Sequence, residues 1–183
     1  MVAKKKVLAI SGSTRKESSN GNLIKAIAAL SANEIDLVLF DDIASLPHFN
    51  PDDDNETAPA AVTDFRKQLK AADGILICTP EYAMGLPGSL KNAIDWTVSS
   101  CEFSHKPVAA ITASSSGKKA HQSLLDTLAV IEANIENTSL LISFIKTKVN
   151  ADGSITDAKT LSEIESLIAN FTSAMKQTDQ QES

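Results

Sequence analysis

Residues 4–23 read KKKVLAISGSTRKESSNGNL, and the fold of the chain follows from this stretch. The apolar run at 7–10 is typical of a short strand buried on both faces, and a turn begins at once with Ser11 and Gly12. The helix that follows is predicted from an apolar stripe at helical spacing, namely Leu23, Ile24, Ile27 and Leu30. The stretch therefore predicts a strand, a polar loop and a helix in direct succession.

The loop of this stretch is rich in groups that bind anions. Arg15 offers a planar fork that suits phosphate oxygens, and the helix after it would direct free backbone N–H groups and a positive dipole end at the same point. Hydroxyl and amide groups surround the arginine, on Ser11, Ser13, Thr14, Ser18, Ser19, Asn20 and Asn22. The sequence therefore predicts a phosphate site here.

The composition indicates one globular domain, which we assign to residues 1–176 with a frayed polar tail at 177–183. The chain has 183 residues, of which 43% are hydrophobic and 22% charged, with a formal net charge of −6. That charge disfavours a general role in nucleic-acid binding. The basic start is followed by an apolar run too short for a secretory signal or a membrane span, so we expect a cytoplasmic protein. Cys78 and Cys101 show no metal-site spacing, and we assign no metal.

Strands and helices alternate along the whole chain. Further strands are predicted at 34–40, 75–78, 107–113 and 138–145, and helical spacing at 60–72 and after each later strand. Three aspartates at 52–54 are interpreted as a surface turn, and Lys91, Asn92 and Asp95 as helix-surface or subunit-contact residues. Five β–α units with buried strands predict an α/β fold, a doubly wound parallel sheet with helices on both faces.

Three unusual loops should meet in that fold. The loops after the first, third and fourth strands, at 11–20, 79–88 and 113–117, emerge at the same edge of a parallel sheet. The second loop is stiff because of its prolines, yet its glycines allow a ligand to approach the backbone closely. A phosphate site beside such a wall suits a nucleotide-like cofactor with a planar ring.

Two motifs carry a resemblance to a known family. The runs GSTRKESSNGNL at 12–23 and PEYAMGLPGSLKNAIDW at 80–96 closely resemble the NADPH-dependent FMN reductase family of flavodoxin-like proteins. That family includes flavin, quinone, azo-dye and chromate reductases. The resemblance implies a flavodoxin-like five-stranded sheet of order 2-1-3-4-5, FMN and NADPH or NADH as cofactors, a small-molecule electron acceptor, and a homodimer or homotetramer.

The resemblance also implies the binding residues. The FMN phosphate would be surrounded by Ser11, Ser13, Arg15, Ser18, Ser19 and Asn20. The isoalloxazine ring would be bordered by Pro80, Glu81, Tyr82, Ala83, Met84 and Gly85, with Ser114, Ser115, Ser116 and Gly117 at its other edge. Two positions depart from the family pattern, which commonly has asparagine at Ala83 and a longer, glycine-rich third loop.

The implied reaction is hydride transfer from the nicotinamide to the flavin, followed by electron transfer to a second acceptor in the same cleft. The flavin carries this chemistry, so no catalytic side chain is assigned. An alternative is a flavodoxin-like electron carrier without a nicotinamide reaction, although the GSTR loop fits the reductases better. A third possibility is an interaction module that has lost the cofactor. The absence of GxGxxG and HExxH from the sequence disfavours a Rossmann dehydrogenase and a zincin.

Overall fold

The computed structural model describes residues 3–40 and 42–181. Five strands form one sheet: β1 (Lys5–Ser11), β2 (Ile35–Phe40), β3 (Gly74–Thr79), β4 (Val108–Ser114) and β5 (Ser139–Ser143). Every pairing is parallel and the order is β2-β1-β3-β4-β5. The predicted flavodoxin-like order is therefore confirmed.

Helices cover both faces of this sheet. They are α1 (Ser19–Leu30), α2 (Ala60–Ala71), α3 (Gly88–Asp95), α4 (Lys118–Val130) and α5 (Ala158–Gln181). Because side chains alternate along a strand, Leu8 and Ile75 enter a core beneath α2, α3 and α4, while Val7 and Leu76 enter a second core beneath α1 and α5. Burial of each large aliphatic side chain contributes roughly 1.5–3 kcal/mol. Of the helices described, none has the length and apolar character that crossing a bilayer requires.

The carboxyl ends of β5 and α5 differ from the sequence prediction. The β5 ladder ends at Ser143, two residues early, because Phe144 turns into the left-handed region with φ +58°. Helix α5 continues to Gln181, well into the segment predicted as a frayed tail. Its last turns are anchored by Phe171 and Met175, which pack so close to Gly74 that a Cβ there would lie within 2.9 Å of both. Asp41, predicted to end the second strand, lies outside the described residues.

The loop after β2 is tied to α3 and the residues that follow it. The carbonyl of Pro47 accepts hydrogen bonds from Asn92 Nδ2 (2.9 Å) and Trp96 Nε1 (2.8 Å). Asn92 Oδ1 in turn accepts a hydrogen bond from the Phe49 N–H at 2.7 Å. Asn92 is therefore an internal brace of this chain, whereas the sequence assigned it to the helix surface or a subunit contact. The reason is that its two amide groups match one donor and one acceptor of a loop more than forty residues away.

Candidate active site

The carboxyl ends of the strands open into a cleft of about 540 Å³, within the range of small-molecule sites. The loops after β1, β3 and β4 line it, as predicted, together with a segment after β5. The residues from the predicted loops and the start of α1 are Ser13, Arg15, Glu17, Ser18, Ser19, Asn20, Asn22, Pro80, Glu81, Tyr82, Ala113, Ser114 and Ser115. Of the predicted set, Ser11, Ala83, Met84, Gly85, Ser116 and Gly117 do not line the cleft.

The first loop presents an anion site at the N-terminus of α1. Ser18 is the N-cap, and its hydroxyl accepts a hydrogen bond from the Gly21 N–H at 3.0 Å. Within the described residues, the N–H groups of Ser19 and Asn20 and the guanidinium of Arg15 have no hydrogen-bond partner. These donors and the positive dipole end thus remain available to a phosphate.

The loop keeps this shape through its own hydrogen bonds. Ser11 donates its hydroxyl proton to the Ser13 carbonyl at 3.2 Å, which explains why Ser11 supports the cleft without lining it. The Ser13 hydroxyl accepts a longer hydrogen bond from the Arg15 N–H at 3.4 Å. Gly12 permits the close approach of β3, since a Cβ there would lie 2.3 Å from Thr79 Oγ1. The first and second loops are therefore in direct contact.

Asn20 leaves an unsatisfied acceptor in the cleft. Its side chain is 3% exposed and its Nδ2 donates to the Ala113 carbonyl at 3.2 Å. That bond defines the amide orientation, and in the described residues Oδ1 has no partner. Because an unpaired buried acceptor costs about 1–3 kcal/mol, the site calls for a ligand hydroxyl or N–H at this atom.

The second loop turns sharply away from the cleft after Tyr82. Tyr82 and Gly85 exchange backbone hydrogen bonds, both at 3.0 Å, around Ala83 (φ 48°) and Met84 (φ 62°). Positive φ at both central residues gives a turn of the I′ kind, which favours asparagine and glycine. The turn directs residues 83–85 outside the lining, while Tyr82 stays at the cleft with its side chain half exposed.

Glu81 connects the second loop to α4. Its carboxylate accepts hydrogen bonds from the backbone N–H groups of Lys119 and Ala120, both at 3.0 Å. Its own N–H donates to the Ser114 hydroxyl at 3.3 Å. The N-terminus of α4 is therefore capped from within the chain, and the charge of Glu81 is already compensated.

Part of the third loop is held by contacts within the chain and does not face the cleft. Gly117 adopts φ +86° as the N-cap of α4, and the Ser116 carbonyl accepts a hydrogen bond from the Ser143 hydroxyl at 2.8 Å. Behind the loop, His121 Nδ1 lies 3.1 Å from Thr112 Oγ1. Burial lowers the pKa of His121, so this imidazole stays neutral at pH 7. Only Ser114 and Ser115 of the predicted four residues reach the cleft.

A fourth wall of the cleft was not predicted from the sequence. It comes from the segment after β5 and comprises Phe144, Ile145, Lys146, Thr147, Val149 and Ala151. The signal was present, because the carboxyl end of a fifth parallel strand emerges at the same edge as the other four. The segment lacks the serine- and glycine-rich composition that drew attention to the other loops.

The donor set of the cleft fits FMN. A phosphate matches the free N–H groups at α1 and the Arg15 fork, and a ribityl hydroxyl matches the unpaired acceptor of Asn20. Beside these groups lies a wall of mixed polarity that suits a planar ring, formed by Pro80, Tyr82 and Ser114.

Comparison with known proteins identifies the family of this chain. The family model described as NADPH-dependent FMN reductase matches residues 5–147. An NAD(P)H-dependent FMN reductase of Pseudomonas aeruginosa is 37% identical over 161 residues, which cover 84% of this chain and 86% of that protein. A quinone reductase of Escherichia coli K12 is 30% identical over 179 residues, covering 93% and 95%.

The fold agrees with a solved structure as well. A flavoenzyme NAD(P)H:(acceptor) oxidoreductase from Paracoccus denitrificans superimposes with a TM-score of 0.75 at 27% identity, covering 94% of this chain and 98% of that one. The family model spans all five strands described above and reaches the fourth wall of the cleft. Motifs, sheet order, cleft chemistry and sequence similarity thus lead to one conclusion: this chain belongs to the NADPH-dependent FMN reductase family.

Proposed function

We propose that the protein is an NAD(P)H-dependent oxidoreductase that binds FMN in the described cleft and reduces a small acceptor. The proposal rests on one observation: the anion site at α1 and the wall formed by Pro80–Tyr82 line the same cleft. A quinone is the first acceptor to test, because a quinone reductase is similar over nearly the whole chain. Azo compounds, chromate and free flavin are the further acceptor classes that the family resemblance implies.

FMN would supply the redox chemistry, taking up a hydride from the nicotinamide and releasing electrons to the acceptor. The protein's part is binding and orientation. Arg15 and the free N–H groups of Ser19 and Asn20 would hold the phosphate, with Ser13 and Ser18 beside them. Asn20 Oδ1 would accept a hydrogen bond from the ribityl chain, and Tyr82 would lie along the ring.

The remaining predicted residues would act indirectly. Ser11 shapes the first loop, while Ser116 and Gly117 brace the third loop from outside the lining. The turn at Ala83, Met84 and Gly85 would set the position of Tyr82 rather than contact the ring from within the cleft.

No side chain of the cleft is assigned as a proton donor or nucleophile. The Glu81 carboxylate is occupied by the α4 N-terminus, and His121 lies outside the lining. Cys78, on β3, is fully buried, and burial raises the pKa of its thiol far above physiological pH. Catalysis would then rest on positioning and on the exclusion of water.

The test is to purify the protein, load it with FMN, and add NADPH or NADH under anaerobic conditions. We expect the flavin absorbance near 450 nm to bleach and then to return when a benzoquinone is added. A protein that binds FMN but does not bleach would be the electron carrier considered above. A protein that binds no FMN would contradict the proposal altogether.

The homodimer or homotetramer and the cytoplasmic location remain part of the proposal. Support for self-association comes from exposed apolar side chains, of which Val98 and Met84 are examples. Light scattering after size exclusion distinguishes the assembly states, since a chain of 19.4 kDa would give about two or four times that mass. A monomer at micromolar concentration would contradict this part.

A further inference from the structure

The fourth wall carries two side chains, on Phe144 and Lys146, whose placement no contact among the described residues explains. Phe144 lines the cleft while 67% exposed, and its φ of +58° lies in a region that non-glycine residues rarely adopt. Lys146 lines the same cleft and, among the residues described, has no hydrogen-bond or ion-pair partner. An exposed aromatic ring in a strained conformation beside an unpaired cation is unfavourable for stability alone.

The wall is nevertheless held firmly in place. The Phe144 N–H donates to the Ser115 carbonyl at 3.2 Å, and the Phe144 carbonyl accepts hydrogen bonds from the N–H (3.0 Å) and hydroxyl (2.9 Å) of Thr147. Further along, Val149 and Ile155 form an antiparallel bridge. The turn at Gly153, φ +87°, packs so closely on α1 that a Cβ there would lie 3.3 Å from the Asn22 carbonyl oxygen. Phe144 and Lys146 are thus presented by a preorganised segment.

The charges of the cleft leave Lys146 available to a ligand. Of the two acids that line the cleft, Glu81 is bound to the start of α4. Glu17 is exposed and pairs with neither Arg15 nor Lys146. Among the described residues, the cleft therefore holds two cationic side chains without a partner, Arg15 on the first loop and Lys146 on the fourth wall.

One FMN molecule does not need both. Its single phosphate would be held by Arg15 and the N-terminus of α1, and its ring would lie against the second and third loops. A nicotinamide dinucleotide brings a pyrophosphate and two further flat rings. An aromatic ring and a cation two residues apart match a flat ring joined to a phosphate.

We propose that Phe144 and Lys146 bind the nicotinamide dinucleotide, Phe144 by stacking on one of its rings and Lys146 by pairing with one of its phosphates. This inference rests on the proposed function, since it names the residues that would hold the electron donor. It assigns the two nucleotides to different walls of one cleft. The first loop anchors the flavin, and the fourth wall anchors the dinucleotide.

The experiment measures both nucleotides at equilibrium in Phe144→Ala and Lys146→Met. Affinity for FMN comes from quenching of flavin fluorescence on titration into the apoprotein. Affinity for NADP⁺ and NAD⁺, which do not reduce the flavin, comes from calorimetry on the FMN-loaded protein. We expect each variant to weaken dinucleotide binding by about 5- to 30-fold, the scale of one charged or stacking contact, and FMN binding by less than about twofold.

The two cofactor forms identify the phosphate that Lys146 contacts. A loss for NADP⁺ alone assigns it to the 2′-phosphate, and an equal loss for NAD⁺ assigns it to the pyrophosphate; both results support the inference. Lys148→Met and Val130→Ala are the matched controls, because Lys148 lies on the same segment outside the lining and Val130 is an exposed apolar residue of α4. Both controls should retain wild-type affinities.

Three results would overturn the inference while leaving the proposed function intact. They are dinucleotide affinity in both variants equal to that of the controls, loss of FMN affinity in place of dinucleotide affinity, and dissociation of an oligomer by Phe144→Ala with unchanged dinucleotide binding. Failure of the wild-type protein to bleach with NADPH or NADH is a separate outcome, and it would reject the proposed function itself.

Discussion

Arg15 and Asn20 lie in the same cleft with opposite hydrogen-bonding character. Arg15 brings five donors with no partner in the described residues, and Asn20 brings one buried acceptor that is equally unpaired. A ligand that satisfies both must carry an anionic group and a nearby hydroxyl or N–H. This pairing is more selective than an anion site alone, which any sugar phosphate would satisfy.

At the residue scale we predict that Arg15→Ala weakens FMN binding by about 1.5–3 kcal/mol, the scale of a charged hydrogen-bond set. Riboflavin lacks the phosphate, so its affinity should change by less than about a third of that amount. Fluorescence titration of the apoprotein with each flavin makes the comparison. Lys16→Ala is the control, since Lys16 is the next residue and lies outside the lining. Equal losses for the two flavins would contradict the phosphate assignment.

Among the elements of the fold, the turn from Tyr82 to Gly85 holds two consecutive residues in a strained backbone conformation beside the cleft. Ala83 and Met84 both have positive φ, which costs a non-glycine residue roughly 1–2 kcal/mol. The resemblance to the family places asparagine at Ala83, a residue that tolerates this conformation better. The chain thus stores strain in the element that positions Tyr82.

At the element scale we predict that Ala83→Gly stabilises the protein by about 0.5–1 kcal/mol, because relief of the strained φ outweighs the added chain entropy of glycine. Urea unfolding followed by circular dichroism measures the change. Ala129→Gly, at an exposed position in α4, should destabilise by a similar amount. If the two variants shift the urea midpoint in the same direction, the stability change in Ala83→Gly does not come from relief of backbone strain.

On the scale of the whole molecule, one ion pair ties three distant segments together. Arg66 on α2 contacts the Asp54 carboxylate at 2.6 Å and also donates to the Trp96 carbonyl. The Ser99 hydroxyl donates to the same carboxylate at 2.9 Å. The Asp54 side chain is only 10% exposed, so it is not the surface turn residue that its sequence context suggested.

At this scale we predict that Asp54 makes stability depend on acid pH. Its hydrogen bond from Arg66, with a smaller contribution from Ser99, holds the pKa of Asp54 below its usual value. A lowered pKa stabilises the folded state above the unfolded pKa of about 3.9, and this contribution disappears as pH falls through the folded value. The urea midpoint of wild type should therefore exceed that of Asp54→Asn at pH 6 and converge on it below about pH 4.

Asp152 and Asp157 also have lowered pKa values, through hydrogen bonds from Ser154 and Thr160 respectively, so the wild-type curve alone would not isolate Asp54. The comparison with Asp54→Asn removes their effect because both proteins contain them. A midpoint difference that stays constant from pH 6 to pH 3 would show that Asp54 acts through packing rather than through its charge.

The sequence by itself determined the local elements and the chemistry of the first loop. The apolar strand at 7–10, the hydroxyls, Arg15 and the start of α1 are neighbours in the chain, so periodicity and turn chemistry suffice to predict them. The alternation of strands and helices then determined a parallel sheet and the edge at which its loops meet. Most predicted strand ends lie within one residue of the observed ones, and β5 ends two residues early because of the backbone conformation at Phe144.

Only the tertiary structure decided which partner each side chain in and around the cleft contacts. Glu81 caps a helix 38 residues away, Asn20 bonds to Ala113 across 93 residues, and Asn92 braces a loop that precedes it by more than forty. The fourth wall, with Phe144 and Lys146, is part of the cleft through the same kind of contact. Such pairings depend on strand register and helix packing, which bring distant residues within hydrogen-bond range and leave no periodic trace in the sequence.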